Sequence, residues 1–130
     1  MATASRPDMH AYNHAHKLPS SAAVVQELVE ILGARLVAYL ASVAETRAVR
    51  DWASGEREFK QPELDRRLRY ALYIATFIAE AESKHAAQSW FQGLNPQLDD
   101  RSPARLLREG DIDEFGPEIA SAARAFIIGG

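Results

Sequence analysis

A chain of 130 residues with Lys+Arg 15 against Asp+Glu 18 has the length of one ordinary domain, or of two very small ones, and a formal net charge of −3. It holds no cysteine, which excludes a disulfide framework and a thiolate metal site. No apolar run approaches the roughly 18 residues of a membrane span, so no membrane partner is expected. Hydrophobic residues make up 47%, enough for a core with a modest stability margin. The first residues lack the apolar centre of a secretory signal, so the expected location is cytoplasmic.

Residues 1–19 are rich in Ala, Ser, His and Pro without an apolar period, and a flexible N-terminal arm is expected there. His10, His14 and His16 have a spacing that can suit a metal. A metal site needs ligands on a fixed scaffold with supporting partners, which an arm does not supply, so no metal is assigned. Pro19-Ser20-Ser21 starts a helix, because a Ser cap satisfies orphan N–H groups. Val24, Val25, Leu28, Val29, Ile31 and Leu32 follow, and Gly33 is a natural stop. A short apolar helix is expected over Arg35–Ala41, a turn over Ser42–Glu45 and a third helix over Thr46–Ala53, closed by Gly55. Pro62 suits a first helical turn. Leu64, Leu68, Ala71, Leu72, Ala75, Phe77 and Ile78 then recur at three- and four-residue intervals, predicting a helix of about six turns to Lys84. Ala86–Phe91 is helical by the same pattern, and Gly93–Asp100 is a loop. Ser102-Pro103 opens a short helix that ends near Gly110, and Gly116-Pro117 opens a final one carrying Ile119, Ala122, Ala123, Phe126 and Ile127.

No hairpin signal and no β-branched alternation interrupts this pattern. The expected fold is all-α, a helix-turn-helix-like bundle followed by a small helical domain. The expected division is arm 1–19, helix-turn-helix-like region 20–61, connecting long helix 62–85 and C-terminal domain 86–130.

The segment Arg35–Gly55 has the parts of a DNA-reading helix-turn-helix: a short helix, a tight turn, and a second helix whose first residues face outward. Leu36, Val37, Leu40, Val43, Val49 and Trp52 supply the packing side. Thr46, Arg47 and Arg50 face out, and Arg47 and Arg50 suit guanine edges. Arg57 and Lys60 fall where phosphate contacts position such a module. Eight Lys/Arg lie between Arg35 and Arg69 against six acids, while the last thirty-odd residues are acidic. Glu45 and Asp51 share the outward face, so a helical hairpin that does not bind DNA stays open as an alternative.

The run Arg50-Asp51-Trp52-Ala53-Ser54-Gly55-Glu56-Arg57 resembles the end of the recognition helix in Xre-type regulators. The run from Trp90 to Leu107 is similar to the C-terminal signature of bacterial antitoxins of the MbcA/ParS/Xre class. Its landmarks are Trp90, Asn95-Pro96, Leu98, Ser102-Pro103 and Leu106-Leu107. Each has a structural task as well, in turn, cap or core. Members of that class often carry a Gly-rich turn before the Ser-Pro, where this chain has Asp99-Asp100-Arg101. The resemblance implies a type II antitoxin whose partner is a RES-domain toxin that degrades NAD. It also implies inhibition by placing the antitoxin's C-terminal end in the toxin's active-site cleft. Arg124, Phe126, Ile127, Ile128, Gly129 and Gly130 are the residues so placed, an apolar tail with one cation beside a terminal carboxylate. Phe126 and Ile127 covering the core is the alternative.

No residue pattern points to catalysis. Glu109, Asp111, Asp113 and Glu114 form a polar run, no histidine pairs with a serine in a known pattern, and no Gly-rich phosphate loop exists. The expectation is a non-enzyme without cofactor. Its expected partners are a cognate toxin and operator DNA, in a homo-oligomer or a hetero-oligomer with the toxin. The alternative is a stand-alone helix-turn-helix transcriptional regulator whose C-terminal region dimerises. A purely structural adaptor is a weaker third reading.

Overall fold

Eight α-helices and one turn of 3-10 helix make up the computed structural model, which describes residues 7–129; no β-strand occurs among them. The helices are α1 (Pro7–Lys17), α2 (Ser21–Leu32), α3 (Ala34–Leu40), α4 (Thr46–Ser54), α5 (Pro62–Ala81), α6 (Lys84–Gln92), α7 (Pro103–Glu109) and α8 (Ile112–Gly129). The 3-10 turn spans Pro96–Leu98. The all-α expectation holds, and the caps that defined α2, α4 and α7 in the sequence are where they were expected. Ser20 Oγ accepts from Ala23 N over 3.1 Å and Ser102 Oγ from Arg105 N over 3.1 Å. Gly33 sits at φ 87 between α2 and α3, a backbone region that side chains rarely adopt, so the chain turns there without a linker.

Helix α5 is the axis of the molecule rather than a connector. Leu68, Ala71, Leu72, Ile74, Ala75 and Ile78 are fully buried, and α1, α2, α6 and α8 all pack on it. It ends at Ala81, and Ser83 opens α6 by accepting from Ala86 N over 2.9 Å. One cluster of buried side chains includes Val24 and Val49 from the expected N-terminal region together with Phe91, Leu107 and Ile119 from the expected C-terminal domain. The boundary placed at residues 85 and 86 therefore does not divide the core.

The expected arm is corrected over residues 7–17; residues 1–6 lie outside the described residues. Helix α1 lies along α5 with Ala11 and Ala15, one turn apart, fully buried. Small side chains on its inner face let the two backbones approach, and polar groups fasten its ends. Asp8 is buried and meets Arg124 Nη1 at 3.0 Å. Arg69 Nη1 donates to the carbonyls of Ala15 and Leu18, each at 2.9 Å, and its Nε is held by Asp65. These bonds satisfy carbonyls that a helix end leaves open. Tyr12 adds an edge-to-face contact with Tyr73 at 5.2 Å between ring centres.

Helix α8 also departs from expectation, starting at Ile112 rather than at Gly116-Pro117. Asp111 is the reason: its Oδ1 accepts from Asp113 N over 2.9 Å and its carbonyl from Phe115 N over 2.8 Å. Pro117 then falls inside the helix, where it withholds a donor from the carbonyl of Asp113. Asp113 is exposed, so water can take that carbonyl. Tyr70 braces the same turn by donating its hydroxyl to the Gly116 carbonyl over 2.5 Å. Burial, with the nearby Tyr73 ring acting the same way, pushes the Tyr70 phenol well above its ordinary range.

Candidate partner-binding surface

The stretch between α6 and α7 is a densely hydrogen-bonded turn. Asn95 Oδ1 accepts from Gln97 N over 2.9 Å, and the Asn95 carbonyl accepts from the N–H groups of Leu98 and Asp100, each at 2.9 Å. Arg101 Nε closes the turn on the Leu98 carbonyl at 2.9 Å, while its guanidinium lies 5.3 Å from the Phe115 ring centre. Asp99 and Asp100 have φ of 56 and 59, in the left-handed region. The turn therefore has the backbone that glycine favours, and Asp is among the residues that tolerate it. Leu98, Leu106 and Leu107 are buried beneath, Pro103 is buried at the start of α7, and Trp90 is buried against Phe91 and Phe126. The signature residues Trp90, Asn95, Pro96, Leu98, Ser102, Pro103, Leu106 and Leu107 thus build one corner of the fold.

Beside this corner the end of α8 leaves a shallow groove of ≈ 440 Å³. Trp90, Leu94, Pro96, Ala125, Phe126 and Gly129 are among its walls, and no charged side chain among the described residues lines it. Leu94 is 76% exposed and Ile128 is 86% exposed. Phe126 and Ile127 are half-buried and pack on the core, so the expected tail divides. Two of its side chains serve the fold, and Ile128 is free for a partner. Gly129 is exposed, and Gly130 lies outside the described residues. Arg124 is occupied internally by Asp8.

Family models, curated proteins and solved structures offered no match to this chain.

Helices α3 and α4 form a helical hairpin, with α3 also packed on α7. Leu36, Val37, Leu40, Val49 and Trp52 are buried, and Ser42 carries the turn at φ 60. Arg47, Arg50, Arg57 and Lys60 are exposed, and Thr46 is half-buried. Arg50 Nη2 donates to Thr46 Oγ1 over 3.1 Å, and Arg57 stands 3.9 Å from Asp51. Both arginines are held close to the surface and retain donors for a ligand. Phe59, in the polar stretch after Gly55, meets the Trp52 ring edge-on at 5.1 Å and pins that stretch to α4. Its lone aromatic side chain among charged neighbours was the available signal.

Of His10, His14 and His16 on α1, the last two have hydrogen-bond partners on α2 and α1. His14 Nε2 lies 2.6 Å from Glu27, and His16 Nδ1 lies 2.9 Å from the Tyr12 carbonyl. No group of three or more His, Asp or Glu among the described residues can hold a metal ion. Lys84, paired with Glu30, holds that carboxyl below its ordinary range at an exposed site. No helix among the described residues is long and apolar enough to cross a membrane.

Proposed function

We propose that this chain is the antitoxin of a type II toxin–antitoxin pair of the MbcA/ParS/Xre kind. It binds a RES-domain, NAD-degrading toxin and blocks its active site with the surface around the end of α8. It performs no chemistry itself. One observation carries the reading: a groove beside the corner built by the signature residues, lined by no charged side chain among the described residues, with 76% exposed Leu94 in its wall and 86% exposed Ile128 on the helix that forms its other side. Charge depletion with an aromatic wall is the composition of an interface centre. Covering two such side chains contributes about 3–6 kcal/mol of gross transfer free energy, of which only the surplus over the costs of association and ordering appears as affinity.

The test is co-expression with the toxin. Truncation of Phe126–Gly130 mixes partner contact with fold, because Phe126 and Ile127 pack on the core. The cleaner variant is Leu94→Asp with Ile128→Asp, which leaves helical circular dichroism intact and abolishes protection. Full protection by that double variant sinks the reading. A dimer of the wild type, broken by the same substitutions and indifferent to the toxin, favours the stand-alone regulator instead.

The second half of the proposal is repression of its own operon through α4, with Arg47 and Arg50 toward base edges and Arg57 and Lys60 toward phosphates. Four exposed cations on and just after α4 support it. Arg47→Ala with Arg50→Ala is expected to remove the mobility shift of the promoter fragment while the protein stays folded. An unchanged shift refutes this half and leaves the toxin-binding half standing.

A further inference from the structure

Between α3, α6 and α7 lies a cleft of ≈ 840 Å³, distinct from both surfaces above and made by residues distant in sequence. Its floor is apolar, from Leu36 and Ala104. Its walls are polar and unusually free. Arg35 and Tyr39, one turn apart on α3, stand side by side. The Arg35 side chain is exposed and forms no ion pair or hydrogen bond among the described residues. Tyr39 is fixed from behind: the Arg108 guanidinium lies 4.5 Å from its ring centre and Arg108 Nη1 donates to its carbonyl over 3.2 Å. That leaves the phenol hydroxyl as an oriented donor. Gln88 Nε2 donates to the Ile31 carbonyl over 2.9 Å and Gln92 Nε2 to the Gln88 carbonyl over 3.1 Å, so both amide oxygens remain as acceptors on the facing wall. No Asp or Glu lines the cleft.

We propose that this cleft binds a small phosphorylated ligand of nucleotide size, its phosphate on Arg35 and Tyr39 and its base on the amide oxygens of Gln88 and Gln92. The guanidinium matches phosphate bidentately, and the phenol adds a second donor direction. Exocyclic amino groups of a base suit amide oxygens, and a flat ring suits the floor of Leu36 and Ala104. The volume lies within the usual range of ligand pockets, about 300–1,000 Å³. A nucleic-acid backbone is the other source of phosphate. Duplex contacts are made from convex surfaces, and a duplex cannot reach an apolar floor between three helices, so the free nucleotide is the better fit.

Calorimetric titration of the full chain, with amide NMR spectra, tests this using AMP, ADP, adenosine, inorganic phosphate, a short DNA duplex and a glutamate-rich peptide as probes. AMP or ADP is expected to saturate below millimolar concentration, with adenosine and phosphate each weaker by about tenfold or more. Shifts should centre on Gly33, Arg35, Tyr39, Gln88 and Gln92. Arg35→Gln should weaken nucleotide binding about tenfold and Tyr39→Phe about threefold, with unchanged circular dichroism. Failure of both nucleotides to saturate overturns the proposal. So does binding undiminished in Arg35→Gln, or dependence on Arg35 seen only with the duplex or the peptide. None of these outcomes touches the roles proposed for α4 or α8.

Discussion

Arg124 offers the sharpest test of how the helices are held together. Its guanidinium meets Asp8 at 3.0 Å, with the Asp8 side chain 4% exposed and the Arg124 side chain 38% exposed. Removing one partner of a fully buried pair costs about 3–5 kcal/mol. Solvent reaches Arg124, and screening lowers the expectation to about 1–3 kcal/mol. Unfolding entropy of about 2.1 cal/mol/K per residue gives about 0.27 kcal/mol/K for this chain. Arg124→Met, which keeps the aliphatic stem, should therefore lower Tm by about 4–11 °C. Thermal unfolding followed by circular dichroism reads this directly. Asp8→Asn and the double variant complete a cycle, in which the pair should show coupling of about 1 kcal/mol or more. If Arg124→Met melts within about a degree of the wild type, the pair is a surface contact and α1 is not fastened there.

Three further outcomes follow from the geometry. A Cβ on Gly110 would lie 2.4 Å from Phe115 Cδ2 and 2.8 Å from the Leu106 carbonyl, so Gly110→Ala should cost about 1–3 kcal/mol by chemical denaturation; wild-type stability contradicts the packing described. At Asp99, with φ 56, a β-branched residue is strained, so Asp99→Val should cost about 1–2 kcal/mol while Asp99→Gly stays within about 0.5 kcal/mol; equal stabilities for the two variants refute the left-handed turn. The Tyr70 phenol is raised above its ordinary value of 10.0, chiefly by burial. Stability should be level below that pH and decline as pH rises above it, because the unfolded chain releases this proton first. In Tyr70→Phe the alkaline decline should be shallower, and an identical pH profile contradicts the burial argument.

The parts of the fold governed by local rules were legible in the sequence. Ser20, Gly33, Gly55 and Ser102 bracket α2, α3, α4 and α7 because caps and left-handed stops are set by single residues. Helix α1 was not legible. Its inner face shows only Ala11 and Ala15, and what holds it comes from Arg69 and Arg124, far along the chain. The start of α8 is set against the local rule: Gly116-Pro117 has the form of a helix opener, whereas Asp111, four residues before Phe115, opens the helix. The apolar tail was visible as apolar, but only packing separates Phe126 and Ile127 from exposed Ile128. The nucleotide-sized cleft had no motif at all, since Arg35, Gln92 and Ala104 meet only through the folded arrangement.

The bond between Asp8 and Arg124 joins positions 116 apart in sequence, and so closes the described chain into a ring. A ring closed by such a non-covalent contact brings the two ends of the described chain together, so the chain can be joined there and opened elsewhere. A circular permutant that links the outer ends of α1 and α8, and begins anew near exposed Glu58 where no helix is cut, should keep the same fold. It would also separate α4 from the start of α5 in the chain while α4 stays packed on α2 and α3, and would place the two proposed surfaces on segments joined through the new linker.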